Sequence, residues 1–134
     1  MLPEPHRLHH HADFSRTVRR GHRIGRRDLV VHIFDRNRAA DDATSEPVLG
    51  VGGLRMGLIV SKTVGNAVTR HRVARRLRHS FHSLIDDVDL SVDVVVRALP
   101  SAASASSADL ERQLRAGLSK VRQRSMSPAE NTRR

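Results

Sequence analysis

The densest chemistry in the chain lies in GNAVTRHRVARRLRHSF, residues 65–81. Five arginines and two histidines share this helix-length stretch, and no carboxylate occurs from Lys62 to Ile85. A guanidinium is a planar fork of N–H donors that matches two phosphate oxygens and stacks on bases. Like charges three and four residues apart on a helix repel one another. Such a face therefore costs free energy until an anion covers it. A solvated helix face normally mixes signs and gains ion pairs instead. Gly65 and Asn66 add a second anion feature, because the free N–H groups of a helix start favour phosphate.

The whole chain points the same way. Its 134 residues carry 24 Lys+Arg against 14 Asp+Glu, a formal net charge of +10, with nine histidines and a pI near 11.7. That self-repulsion is best explained by a polyanionic partner. A membrane surface would require a broad apolar helix face with bulky residues. Stepped at about 100° per residue, Val73, Leu77, Phe81 and Leu84 form a stripe only about 80° wide. Nucleic acid is therefore preferred. Cysteine is absent, which excludes disulfides and thiolate metal sites. The N-terminus lacks an apolar signal core, and no run reaches the ~18 apolar residues of a spanning helix. These features lead us to expect a soluble cytoplasmic protein.

Several weaker signals give no catalytic or metal site. His9, His10 and His11 are consecutive, so on a helix they point apart and do not share one ion. Asp86, Asp87 and Asp89 fall at a helix-to-strand turn, where Asp is common for local bonding. GVGG (50–53) lacks both the GxGxxG spacing and a Walker lysine. No nucleophile-and-base set is legible.

The elements that must position the basic stretch follow from periodicity. Apolar residues at helical spacing predict a short helix from Leu8 to Arg20, ended by Gly21. DLVVHIFD (28–35) and RMGLIVSK (55–62) read as strands, with Leu29, Val31 and Ile33 on one face and Val30, His32 and Phe34 on the other. These two strands are expected to pair as an antiparallel hairpin across a long polar and glycine-rich connection, residues 36–54. The basic helix should run from about Asn66 to Ile85. VDVVVRAL (92–99) is a further strand, with Val92, Val94 and Val96 as its core face. Asp93 and Arg97 share the other face, where pairing would be worth little if exposed. Residues 101–109 read as a small-residue linker. A final amphipathic helix carries Leu110, Leu114, Leu118 and Val121, with Ser107 as its expected N-cap. A hydrophobic content of 38%, with only three Phe and no Trp or Tyr, leaves aliphatic side chains to fill a small core. We expect one α+β domain over residues 8–124, a flexible arm over 1–7 and a disordered tail over 125–134.

SKTVGNAVTRHRVARRLR (61–78) resembles the bacterial ribonuclease P protein component, in which a strand ending S-K-K leads to G-N-A-V and an R-N-R-x-x-R-like helix. Ser61, Lys62, Gly65, Asn66, Ala67, Val68, Arg70, Arg72, Arg75 and Arg78 stand at matching positions. RLHHHADFSRTVRRG (7–21) is similar to the family's R-L-x-x-x-x-D-F first helix, and LVVHIF and VDVVVRALP to its outer and last strands. The resemblance covers about residues 7–121. It implies a small α+β sandwich of a four-stranded sheet and three helices in the order αβββαβα. That fold is the one shared with ribosomal-protein-S5-domain-2-like proteins, with a left-handed βαβ crossover, a hand that general chirality rules disfavour. A fourth short strand would then lie near residues 22–26.

The resemblance also implies a function: removal of the 5′ leader from precursor tRNA. In that family the RNA subunit hydrolyses the phosphodiester with Mg²⁺ held mainly by RNA and substrate, and the protein carries no catalytic residue or metal site. The implied RNA-subunit contacts are Lys62, Asn66, Arg70, His71, Arg72, Arg75, Arg76 and Arg78. The implied leader-binding positions are Phe14, Val18 and His32, with Phe14 able to stack on a base. The sequence departs from the pattern at His71, the middle of R-N-R, and at Ala74, where a lysine is expected and Arg76 is the nearest offset. It departs again at Val18 and His32, where the family carries aromatics, so the leader grip should be more electrostatic. The protein is expected as a monomer within the holoenzyme, with the RNA subunit and precursor tRNA as partners. The alternative is a structural rRNA-binding protein with no part in cleavage.

Overall fold

The computed structural model describes residues 7–8, 10–36, 54–85 and 92–126. The order is α1 (His11–Arg20), β1 (His22–Gly25), β2 (Leu29–Asp35), β3 (Arg55–Ile59), α2 (Ala67–Leu84), β4 (Val92–Ala98), a 3₁₀ segment (Pro100–Ser104) and α3 (Ser107–Met126). The four strands form one mixed sheet in the order β1-β2-β4-β3. This is the expected α+β arrangement, including the short strand near residues 22–26.

The expected hairpin between residues 28–35 and 55–62 does not form. β4 lies between them, antiparallel to β2 and parallel to β3. The reason is burial. Val92, Val94 and Val96 supply one apolar face and Val95 the other, all buried, which suits a central strand covered on both sides. The long α2 crossover between β3 and β4 permits their parallel pairing.

One sheet face carries Leu29, Val31, Ile33, Met56, Val94 and Val96. It packs on Val73, Leu77, Phe81 and Leu84 of α2 and on Leu110, Leu114 and Leu118 of α3, all buried in one cluster. The narrow stripe read from periodicity is therefore the core face of α2. Gly117 lets α3 approach β2, since a Cβ there would sit 3.3 Å from Val31. α1 covers part of the opposite face.

Element ends differ from expectation where hydrogen bonds decide them. Leu8 is not on α1; it is buried, and its N–H donates to Met56 O at 3.0 Å, so residues 7–8 add to the β3 edge. Asn66 caps α2, its side chain accepting from Thr69 N–H at 2.9 Å. The cap of α3 is Ser106 rather than Ser107: its Oγ accepts from Asp109 N–H at 3.1 Å. The expected linker 101–109 begins in the 3₁₀ segment. α3 runs to Met126, two residues into the expected tail. Residues 1–6, His9, most of the 36–54 connection with GVGG, Asp86, Asp87, Asp89 and residues 127–134 lie outside the described residues.

Candidate nucleic-acid interface

Because α2 buries one narrow stripe, its charged residues must occupy the rest of its circumference. His71, Arg72, Arg75, Arg78, His79 and His82 line one open groove, and Arg7 joins its lining. Val68, the only large apolar side chain that is exposed among the described residues, lies at its head. Among the described residues, no carboxylate lines it. A guanidinium-rich, acid-free groove is suited to a phosphate backbone.

The other sequence-derived positions lie around this groove rather than in its lining. Lys62 and Asn66 are exposed at the turn before α2. Arg70 is half-buried in the first turn, and its Nε has no hydrogen-bond partner among the described residues. Two arginines are held from below. Arg72 donates to Ala103 O at 3.2 Å, and Arg76 to Ala105 O at 2.7 Å, so carbonyls around the end of the 3₁₀ segment orient that flank. Ala74 is buried against the protein, so the missing lysine leaves no gap in the groove. Sequence reasoning missed Arg7, His79 and His82 as groove residues. The two histidines fall in the outer sector when stepped at about 100° per residue. Arg7 arrives only because residues 7–8 dock on β3.

The second candidate surface is the sheet face under α1. α1 crosses from β3 towards β1. The Phe14 ring lies on Gly57 of β3, Arg16 reaches Asp93 of β4, and Arg16 and Arg20 sit over the Phe34 ring of β2 at 4.8 and 5.8 Å. Gly57 is required there, because a Cβ would lie 2.2 Å from the Phe14 ring. Phe14 and Val18 are half-buried one turn apart. His32 is in register with Val95, which is in register with Gly57, so His32 stands on the sheet face that the Phe14 ring covers. His32 is 5% exposed, and its Nδ1 has no hydrogen-bond partner among the described residues. Burial first, then the charges of Arg97 and Arg23, push its pKa below the ordinary 6.5. The imidazole is therefore neutral at physiological pH.

α1 is fixed by a buried ion cluster that sequence reasoning assigned otherwise. Asp93 does not pair with Arg97. It is fully buried and accepts from Arg55 Nε and Nη2 at 2.7 and 2.8 Å, from Arg36, and from Arg16 at 3.4 Å. Arg97 is exposed. Asp13 adds a second carboxylate, 2.9 Å from Arg16 and 3.9 Å from Arg55. Hydrogen bonding to Asp93 raises the Arg55 pKa against the opposing effect of burial. A second clip holds the β1–β2 turn to α3. Asp28 N–H donates to Gln113 Oε1 at 2.8 Å, and Gln113 Nε2 donates to Asp28 Oδ2 at 2.7 Å.

Residues 2–122 match the family described as Ribonuclease P. The chain is 60% identical over 132 residues to the ribonuclease P protein component of Rhodococcus opacus, covering 98% of this chain and 99% of that one. It is 62% identical over 130 residues to the Nocardia farcinica protein of the same name, covering 90% and 83%. The solved RNase P protein of Staphylococcus aureus superposes with a TM-score of 0.68 at 26% identity, covering 87% of this chain and 94% of that one.

Proposed function

The chain belongs to the ribonuclease P protein family, and from that premise we propose how its two surfaces divide the work. The α2 groove binds the RNA subunit, with His71, Arg72, Arg75 and Arg78 on its phosphates and Lys62, Asn66 and Arg70 at the helix start. Arg76 works beside them as a brace on the 3₁₀ segment. The cleft of Phe14, Val18 and His32 holds the 5′ leader of precursor tRNA. The single observation that carries this reading is the guanidinium-rich groove on the face of α2 away from its buried stripe, lined by no carboxylate among the described residues.

Mg²⁺ held by RNA and substrate would neutralise phosphate charge and activate the attacking water. Among the described residues, the two buried carboxylates are already committed, Asp93 to arginines and Asp28 to Gln113 and Arg27. What the protein supplies is fixed positive charge and position. Its groove neutralises RNA-subunit phosphates, which lowers the Mg²⁺ needed to bring two RNAs together. Its affinity should fall steeply with salt through counterion release. We place the protein in the cytoplasm, as a monomer within the holoenzyme; no described helix is long and apolar enough to cross a membrane.

The test mixes the protein with a ribonuclease P RNA and a precursor tRNA at low Mg²⁺ and follows leader release. Stimulation is expected, and its absence rejects the reading. Arg75→Glu with Arg78→Glu should abolish RNA-subunit binding without unfolding the protein, since both side chains are exposed.

A further inference from the structure

We propose that His79 and His82, together with His71, extend the RNA contact of α2 past its arginines, and that each holds phosphate in its protonated form, so that RNA binding takes up protons. The inference rests on the reading that the α2 groove binds the RNA subunit. It adds the far end of that contact and makes its strength depend on pH.

Helix geometry sets out the surface. Counted from Val73 at about 100° per residue, every α2 residue of the groove falls in a sector about 120° wide. Each histidine stands one turn from an arginine: His71 and His79 lie four residues either side of Arg75, and His82 lies four after Arg78. From His71 to His82 the row runs roughly 16 Å along the axis. The arginines end at Arg78, so His79 and His82 carry the charged face about one turn further.

The three imidazoles are open to an anion. All are exposed, and none has a side-chain hydrogen bond or an ion pair among the described residues. The charged groups that share their groove are cations: Arg72, Arg75 and Arg78 from α2, and Arg7 from the segment on the β3 edge. α3 packs against α2, yet none of Asp109, Glu111, Arg112, Arg115 and Lys120 lines the groove. Asp109 pairs with Arg112 and Arg27. The 3₁₀ segment, PSAAS, has no ionisable side chain, and the sheet meets α2 through its buried stripe. Asp86 and Asp87, next after α2 in sequence, lie outside the described residues.

An imidazole ordinarily titrates near pH 6.5, so its neighbours decide its charge close to neutrality. A guanidinium one turn away disfavours the imidazolium, and a phosphate placed between the two favours it. The protonated ring then offers two N–H donors. His82 lies in the last turn of α2, where the negative end of the helix also favours a cation. Arginine stays charged throughout this range. Phosphate and proton therefore bind together, and by linkage RNA affinity rises as pH falls through the histidine range.

The experiment measures affinity of the full chain for ribonuclease P RNA near pH 6 and near pH 8, at fixed salt and Mg²⁺. The parent should bind about tenfold tighter at the lower pH, on the scale of three exposed ion pairs. His71→Gln with His79→Gln and His82→Gln should lose that difference, and the fold should hold because all three side chains are exposed. His79→Arg with His82→Arg should bind tighter than the parent at the higher pH, because its charge is permanent. Calorimetry in two buffers of different ionisation enthalpy should show proton uptake by the parent on binding, and less by the glutamine variant. The salt slope of the parent should be steeper at the lower pH, by roughly 0.7–0.9 for each histidine that neutralises a phosphate. Equal parent affinity at both pH values without proton uptake overturns the proposal. So does a glutamine variant that keeps the parent's pH dependence, or an arginine variant no tighter than the parent at the higher pH. The groove reading fails separately, if Arg75→Glu with Arg78→Glu leaves RNA-subunit affinity unchanged.

Discussion

Asp93→Asn should be among the most damaging single changes on the α1 face of the sheet. Asp93 is fully buried, and three guanidiniums converge on it. Asparagine keeps the shape and one acceptor oxygen, but it removes the charge and turns an NH₂ towards N–H donors. Breaking a buried ion pair by removing one partner costs about 3–5 kcal/mol. The lower end applies here. Arg16 and Arg55 keep Asp13 at 2.9 and 3.9 Å, and their side chains are 24% and 18% exposed, whereas Arg36 is 4% exposed. About 3 kcal/mol is a large share of the ~5–15 kcal/mol that holds a domain of this size together. Urea unfolding followed by circular dichroism should show the midpoint falling at constant slope. The double variant Asp93→Leu with Arg36→Met should recover part of the loss, because apolar replacement of a buried pair is often neutral, and Arg16 and Arg55 keep Asp13. Loss below about 1 kcal/mol for Asp93→Asn would refute the view that this carboxylate anchors α1, since that is the scale of a surface pair.

Gly57→Ala should cost about 1–3 kcal/mol in thermal unfolding, because the added methyl must displace the Phe14 ring. Leader-bearing substrate should bind more weakly while RNA-subunit affinity holds. Arg76→Ala should lower stability by about 1 kcal/mol by removing its hydrogen bond to Ala105 O, a larger effect than Arg75→Ala, which has an exposed side chain. Asp28 gives an acid limb to stability. Burial raises its pKa, but hydrogen bonds from Ser101, Gln113 and Arg27 outweigh that and hold it below the ordinary 3.8. The contribution is present above the unfolded value and is lost as pH falls through the folded one. Gln113→Ala should shrink that loss, measured as the urea midpoint against pH. His32 acts in the same sense around its ordinary 6.5: its folded pKa is lowered, so its stabilising share is complete above 6.5 and declines as pH falls. Arg97→Gln should move the His32 titration upward when followed by NMR.

Local rules made part of this protein legible in advance. The spacing of Val73, Leu77, Phe81 and Leu84 marked the buried face of α2, because every third or fourth residue of a helix returns to one side. The absence of carboxylates on the remaining circumference marked the face proposed here to bind phosphate. Alternation of Val92, Val94 and Val96 marked a core strand. Each of these depends on neighbours within a few residues. Which strands lie side by side depends on how the sheet buries its most apolar member, and periodicity carries no record of that. So β4 displaced the expected hairpin. With it, Asp93 became a buried anchor for arginines from α1, from β3 and from the end of β2, instead of a surface partner for Arg97. The same placement left Arg97 exposed on the face beyond α1. Docking of Leu8 on β3 brought Arg7 to the groove by a contact 48 residues away in sequence, from position 8 to Met56. Sequence alone determined what each element would bury and what charge it would display, because those are short-range properties. Only tertiary structure decided which charges meet, because pairing across the sheet is settled by burial of the whole.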